Sequence, residues 1–217
     1  MPNPQSAIRK PQSPPRFGLF GGSFDPVHLG HLMLANCCRQ QATLDQIWFV
    51  PAAQQPLKPQ GPQAADQHRL AMLQLACADD GAYAVSEIEL RRGGISYTVD
   101  TLQAVRDEQP KAELFFLMGA DSLADLPYWH RPAEICQLAT PLVVRRAGTS
   151  EPDFEVLQGT LSTERLAEIR QSQVEMPATP ISSSQIRESI AKGDPWREFV
   201  PAPVADYIQQ HGLYGAR

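Results

Sequence analysis

One stretch constrains what this chain can become more than any other. Beginning at Phe17, the apolar run of RFGLF breaks at Gly21-Gly22, and Leu29, Leu32, Met33, Asn36 and Cys37 then recur at three- and four-residue steps. That spacing predicts a helix, with Pro26 just ahead of it, where a missing N–H costs little. The reading is strand, glycine turn, helix.

The pattern repeats along the chain. QIWFVPA, Gln46 to Ala52, reads as a second buried strand, and a helix follows with Leu70, Leu73, Ala76 and Cys77 on one face. Between them the Pro- and Gln-rich stretch 54–65 has no periodicity and reads as an exposed loop. Ala84 to Leu90 alternates like a strand, and Thr98 to Asp107 has a helical pattern whose first turn carries Asp100. ELFFLMGA, from Glu113, is a continuous apolar run suited to a strand covered on both faces.

A short helix is expected from Arg131 to Gln137, then a strand in LATPLVVRR, with Pro141 counting against its early part. Residues 147–176 carry little pattern except Thr160 to Arg170, read as a surface helix. After Pro180, QIRESIAKG is a helix with serines to cap its start and Gly193 to end it, and a last helix runs from about Val204 to Gln210. Strands alternating with helices imply an α/β fold, a Rossmann-like doubly wound parallel sheet finished by C-terminal helices. Ligands of such sheets bind beyond the carboxyl ends of the strands, where the Gly21-Gly22 and Gly119-Ala120-Asp121 turns are expected.

Composition narrows the function classes. The 217 residues suit a single domain from Phe17 onward, and 42% hydrophobic content supplies a full core. Residues 1–16 hold five prolines and read as a disordered leader. A net charge of −5 with scattered Lys and Arg argues against a nucleic-acid binder. Four cysteines without metal-ligand spacing indicate neither disulfides nor zinc and fit a reducing compartment. No apolar run approaches the roughly 18 residues of a membrane span, and the start of the chain has no signal-peptide pattern, so a cytoplasmic protein is expected.

GLFGGSFDPVHLGH, residues 18–31, carries the chemistry. Two histidines three apart at a helix opening face one side, beside glycines that let a ligand approach the backbone and a helix N-terminus that favours phosphate. Either feature alone is more often structural. The dinucleotide pattern G-x-G-x-x-G is absent. A second cluster, ISSSQIR from Ile181 to Arg187, sets three hydroxyls and a guanidinium around another helix start.

Together these two segments resemble the HxGH and ISSTxIR signatures of the nucleotidyltransferase superfamily, with Ser184 in place of the usual threonine. SYTVDTL (96–102) and GADSLADLPYWHRPAEI (119–135) are similar to segments of bacterial nicotinate-nucleotide adenylyltransferases, and the likeness extends over most of the chain from Phe17. The resemblance implies transfer of AMP from ATP to nicotinic acid mononucleotide, with Mg²⁺ arriving on ATP and no dedicated protein metal site. It implies catalytic roles for His28, His31, Lys58 and Arg187. ATP contacts would come from Gly21, Gly22, Ser23, Phe24, His28, His31, Gly119, Asp121, Ile181, Ser182, Ser183 and Arg187. The acceptor would meet Tyr97, Thr98, Asp121 and Trp129, the indole lying near the pyridine ring.

The chain departs from the family in one loop. Gln55-Pro56-Leu57-Lys58 stands where Pro-Pro-His-Lys or Pro-Pro-His-Arg is usual, so the cation persists and the histidine does not. The alternatives are a relative with another acceptor (nicotinamide mononucleotide or phosphopantetheine) and a nucleotide sensor without turnover. ATP and the mononucleotide are the expected partners. Neither nucleic acid nor membrane is expected, and the sequence is compatible with a homo-oligomer.

Overall fold

The computed structural model describes residues 13–57 and 60–216. Six strands form one all-parallel sheet: β1 (Arg16–Gly22), β2 (Gln46–Pro51), β3 (Tyr83–Val85), β4 (Glu113–Gly119), β5 (Thr140–Arg146) and β6 (Val174–Met176), in the order β3-β2-β1-β4-β5-β6. The helices are α1 (Leu29–Gln41), α2 (Asp66–Cys77), α3 (Ile88–Arg92), α4 (Thr98–Glu108), α5 (Ala120–Leu123), α6 (Pro132–Leu138), α7 (Thr163–Gln171), α8 (Ser183–Lys192) and α9 (Ala202–Gln210). The fold is the expected α/β, doubly wound sheet. None of the described helices is long and apolar enough to cross a membrane.

The alternation of side chains along β4 sorts the core into two halves. Phe115 and Leu117 face a cluster built with α1, α2, α8 and α9, whereas Leu114, Phe116 and Met118 face one built with α4, α6 and α7. This is why β4 reads as an unbroken apolar run: both faces are covered. Each such buried Leu or Phe contributes on the order of 2 kcal/mol. At Gly18 of β1 an added Cβ would lie 2.7 to 2.9 Å from the side-chain ends of Ile47, Leu44 and Leu117, so these three would have to shift to admit it.

Several expectations need correction. The strand β1 begins at Arg16, one residue inside the stretch read as leader, and residues 1–12 of that stretch lie outside the described residues. It does not break at the glycines: Gly21 and Gly22 pair with Val50 and Pro51, and the turn comes after them. The strand expected over Ala84 to Leu90 stops at Val85 because Ile88–Arg92 winds into α3. The last residues of that seven-residue alternation also fit the start of a helical turn, and here that turn carries Glu89 inward to accept a hydrogen bond from Thr101 Oγ1 at 2.6 Å.

The unread region holds β6, three residues that pair with Val144, Arg145 and Arg146 of β5. Because β6 reaches no further, the β5 backbone around Pro141 has no strand on that side, which is where proline is tolerated.

Candidate active site

The strand order reverses between β1 and β4, and the crevice beyond their carboxyl ends is where such sheets bind ligands. Both strands end in glycine there. An added Cβ at Gly21 or Gly119 would meet nothing within 4 Å, so these two backbones border open space. At Gly22 it would press on the Phe24 ring at 3.1 Å.

α1 starts in this crevice. His28 is its N-cap residue, extended at φ −146° and ψ 169°, and its backbone N–H donates to His31 Nδ1 at 3.2 Å. That bond puts the proton of neutral His31 on Nε2, leaving a ring donor. The two imidazoles stack with centroids 3.7 Å apart. Gly30 packs closely against the first of them: a Cβ there would sit 3.0 Å from His28 Nδ1, and the imidazole would have to give by a few tenths of an ångström. His28 is only 6% exposed, and burial, with the nearby Arg146 cation, lowers its pKa to about 4. It is therefore neutral near pH 7, and its buried Nδ1 has no hydrogen-bond partner among the described residues.

A second helix start closes on the first. Ser182 caps α8 by accepting from Gln185 N–H at 3.2 Å, and Ser183 Oγ donates to the Pro26 carbonyl at 2.9 Å. Arg187 reaches back one turn: Nη1 donates to the Asp25 carbonyl at 2.7 Å and Nη2 to Ser184 Oγ at 3.3 Å. The serine that replaces the usual threonine thus keeps the hydroxyl in use. The cleft so formed, about 460 Å³, is bordered by Gly21, Gly22, Ser23, Phe24, His28, His31, Ile181, Ser182, Ser183 and Arg187. Phe24 belongs mostly to the core: it is 2% exposed and meets Phe20 and His31 edge-on at 5.4 and 5.0 Å.

Other expected residues lie around this cleft. Gly119 and Asp121 are at the adjacent end of β4, and Asp121 sits 3.8 Å from Arg146, which itself lines the cleft. Lys58 lies outside the described residues. On the same loop Gln55 borders the cleft and Leu57 is 64% exposed.

Tyr97 and Trp129 pack elsewhere, against the other half of the core, and Thr98 follows Tyr97 at the start of α4. Tyr97 caps α4, in which Thr98 is the first residue, and its ring lies 4.5 Å from His130. Trp129 meets Phe116 edge-on at 5.6 Å, and its indole Nε1 is buried with no partner among the described residues. Backbone bonds tie this platform to the loop after β2: Ser96 N–H donates to the Gln54 carbonyl at 2.8 Å and Ala53 N–H to Ser96 Oγ at 3.0 Å.

A larger cavity of about 630 Å³ lies at the opposite, amino-terminal edge of the sheet. Its two arginines, Arg106 and Arg165, already donate to the carbonyls of Ala112, Cys136, Leu138 and Ala139, and none of the motif residues reaches it.

Comparison with known proteins places the chain in a family. A family model described as cytidylyltransferase-like matches residues 19–189. A probable nicotinate-nucleotide adenylyltransferase of Rhodopirellula baltica is 40% identical over 95% of this chain and 97% of its own. Another, of Thermomicrobium roseum, is 44% identical over 92% and 91%. The chain belongs to the nicotinate-nucleotide adenylyltransferase family. The family fold is also seen in a solved structure at 16% identity: Plasmodium falciparum nicotinic acid mononucleotide adenylyltransferase complexed with NaAD has a TM-score of 0.72, covering 94% of this chain and 98% of that one.

Four residues of this family member escaped the motif reading. Arg69 is fully buried, donating to the Ser23 carbonyl at 2.7 Å and the Ala52 carbonyl at 2.6 Å. It shares the buried face of α2 with Met72 and Leu73, and a charge on an apolar stripe is a signal that was available. Arg146 ends β5 at the ligand-binding edge, a position the fold alone singles out. Asp25 lies inside the motif, but its role depends on distant partners, and Tyr214 gives no local sign at all.

Proposed function

We propose that this chain transfers the adenylyl group of ATP to nicotinic acid mononucleotide, releasing pyrophosphate and forming nicotinic acid adenine dinucleotide. The observation that carries the reading is the meeting of two helix starts, one with His28 and His31 and one with Ser182, Ser183 and Arg187, on a single cleft at the sheet reversal.

The nucleophile needs no side-chain base. A mononucleotide phosphate has a second pKa near 6 and is mostly a dianion at neutral pH, so catalysis reduces to placing donors where charge builds on the α-phosphate and the leaving group. His31 Nε2–H and neutral His28 serve the reacting phosphate. Arg187, the Ser182 and Ser183 hydroxyls and the free N–H groups of α8 receive the pyrophosphate. Lys58 adds a cation from the loop after β2, and Arg146 another from β5. The open backbones of Gly21 and Gly119 leave room for ATP, which Ser23, Phe24, Ile181 and Asp121 border. Tyr97, Thr98 and Trp129 meet the acceptor, the aromatic face suiting an electron-poor ring.

Mg²⁺ fits this site as a ligand of ATP rather than of the protein. The Asp25 carboxylate is already taken by Gln63 N–H, Ala64 N–H and Tyr214 Oη, and Asp121 stands out in solvent beside Arg146. When bound, the ion supplies neutralisation of phosphate charge and keeps several waters.

The test is pyrophosphate release from ATP and Mg²⁺ with nicotinic acid mononucleotide, nicotinamide mononucleotide and phosphopantetheine supplied separately. Release with the first well above the other two is the expected outcome. Preference for another acceptor overturns the roles of Thr98 and Trp129, and ATP binding without release overturns the enzyme reading in favour of a sensor.

A further inference from the structure

We propose that Tyr214, on the last described turn of the chain, is a positioning residue for adenylyl transfer: its hydroxyl fixes Asp25, and Asp25 fixes Arg187. The inference rests on the role given to Arg187 above.

Asp25 is 4% exposed and joins four segments distant in sequence. Its Oδ2 accepts from Gln63 N–H at 2.7 Å, its Oδ1 from Ala64 N–H at 3.1 Å and from Tyr214 Oη at 2.7 Å. Arg187 Nη1 donates to the Asp25 carbonyl at 2.7 Å and lies 3.8 Å from Oδ2. A buried carboxylate is tolerated only while donors surround it, so losing one of three shifts the balance among the rest. Arg187 feels that shift first. Apart from a longer bond to Ser184 Oγ, its guanidinium is held among the described residues by Asp25. Where Asp25 moves, the group meant for pyrophosphate moves with it.

The turn that delivers the hydroxyl is itself unusual. Tyr214 adopts φ 58° between Gly212 and Gly215, which also have positive φ. Glycine adopts that region freely, whereas a bulky aromatic residue is rarely found there. On the other side of the bond, Phe24, next to Asp25, has φ 48°. Two non-glycine residues in the left-handed region thus flank one hydrogen bond, and strain of this kind persists where the surroundings over-determine it. Burial, with the Asp25 carboxylate beside it, pushes the Tyr214 phenol well up, so the hydroxyl stays a donor. The ring packs on the core half that contains Phe24 and Ile186, which a phenylalanine would preserve.

The experiment is a double-mutant cycle with Tyr214→Phe and Arg187→Ala in the full chain, reading kcat, KM for each substrate and the melting midpoint. Tyr214→Phe alone is expected to lower kcat about tenfold, the scale of one hydrogen bond to a charged acceptor, with KM for the mononucleotide unchanged. In the Arg187→Ala background the same change should cost nothing further, because the group it positions is gone. Equal losses in both backgrounds would mark Tyr214 as a plain anchor of the chain end and overturn the proposal. So would an impaired Arg187→Ala beside a Tyr214→Phe of normal turnover. Normal pyrophosphate release by Arg187→Ala would instead remove Arg187 from the reaction, and the inference would fall with that reading. Melting midpoints keep a folding defect separate from a loss of kcat per folded enzyme.

Discussion

The cleft around His28 and Arg187 and the platform around Tyr97 and Trp129 occupy the same edge of one sheet and are built on opposite principles. In the cleft most of the charged and ring groups are held by others: His31 by the His28 backbone, Arg187 by Asp25, Asp25 by three donors, Arg69 by two loop carbonyls. His28 Nδ1 and the Nε atoms of Arg69 and Arg187 are buried there without a partner among the described residues. On the platform Tyr128 is 86% exposed, Tyr97 rests on exposed His130, and the Trp129 Nε1 has no protein partner among the described residues. On the roles proposed above, the difference follows from what each region would handle. Phosphate charge is stabilised by donors already in place when it develops, whereas a flat ring is recognised by an aromatic face and a few donors that become satisfied when it lands.

Substitutions can break or sharpen this contrast. The largest effect is expected for His31→Ala, which should lower kcat by about two to three orders of magnitude, the range for removing one oriented transition-state donor. Its melting midpoint should change little. Near-normal turnover would mean that the cleft's stacked histidines are structural.

Next comes the pH response of the cleft. His28 titrates at about 4 in the folded chain because of burial and Arg146, against 6.5 when unfolded. Between those values the unfolded chain takes up a proton that the folded chain does not, so stability falls as pH drops from 6.5 toward 4 and levels off below. The full difference corresponds to about 3 kcal/mol. Denaturant titrations at pH 7 and pH 4 should show the wild type losing more stability than His28→Gln. Parallel losses would show that the imidazole does not pay this penalty.

The smallest of the three effects is expected on the platform. Trp129→Ala should raise KM for the mononucleotide about tenfold, the scale of one aromatic contact with its buried area, and leave KM for ATP nearly unchanged. Steady-state titration of each substrate decides it. Equal rises for both would return Trp129 to packing against Phe116 and erase the division between the two regions.

Much of the cleft was legible before any coordinates. Two histidines three residues apart at a helix start must share a face, and ISSSQIR must place its arginine one turn from Ser183 and Ser184, because these are short-range consequences of helix geometry. The long apolar strands β2, β4 and β5 were legible for the same reason: burial on both faces leaves no polar positions. Where the pattern was too short to carry its own period, reading failed. Ile88–Arg92 became a helical turn rather than a strand, and the three residues of β6 gave no signal.

What the sequence by itself determined is therefore the chemistry of each segment and the alternation that forces a parallel sheet. Only the tertiary structure decided how those segments are locked together. The Asp25–Tyr214 bond spans 189 positions and the Asp25–Arg187 bond 162. No local spacing encodes either, because such pairs exist only once the two helix starts, the loop before α2 and the chain end have been brought to one place by burial of the surrounding core.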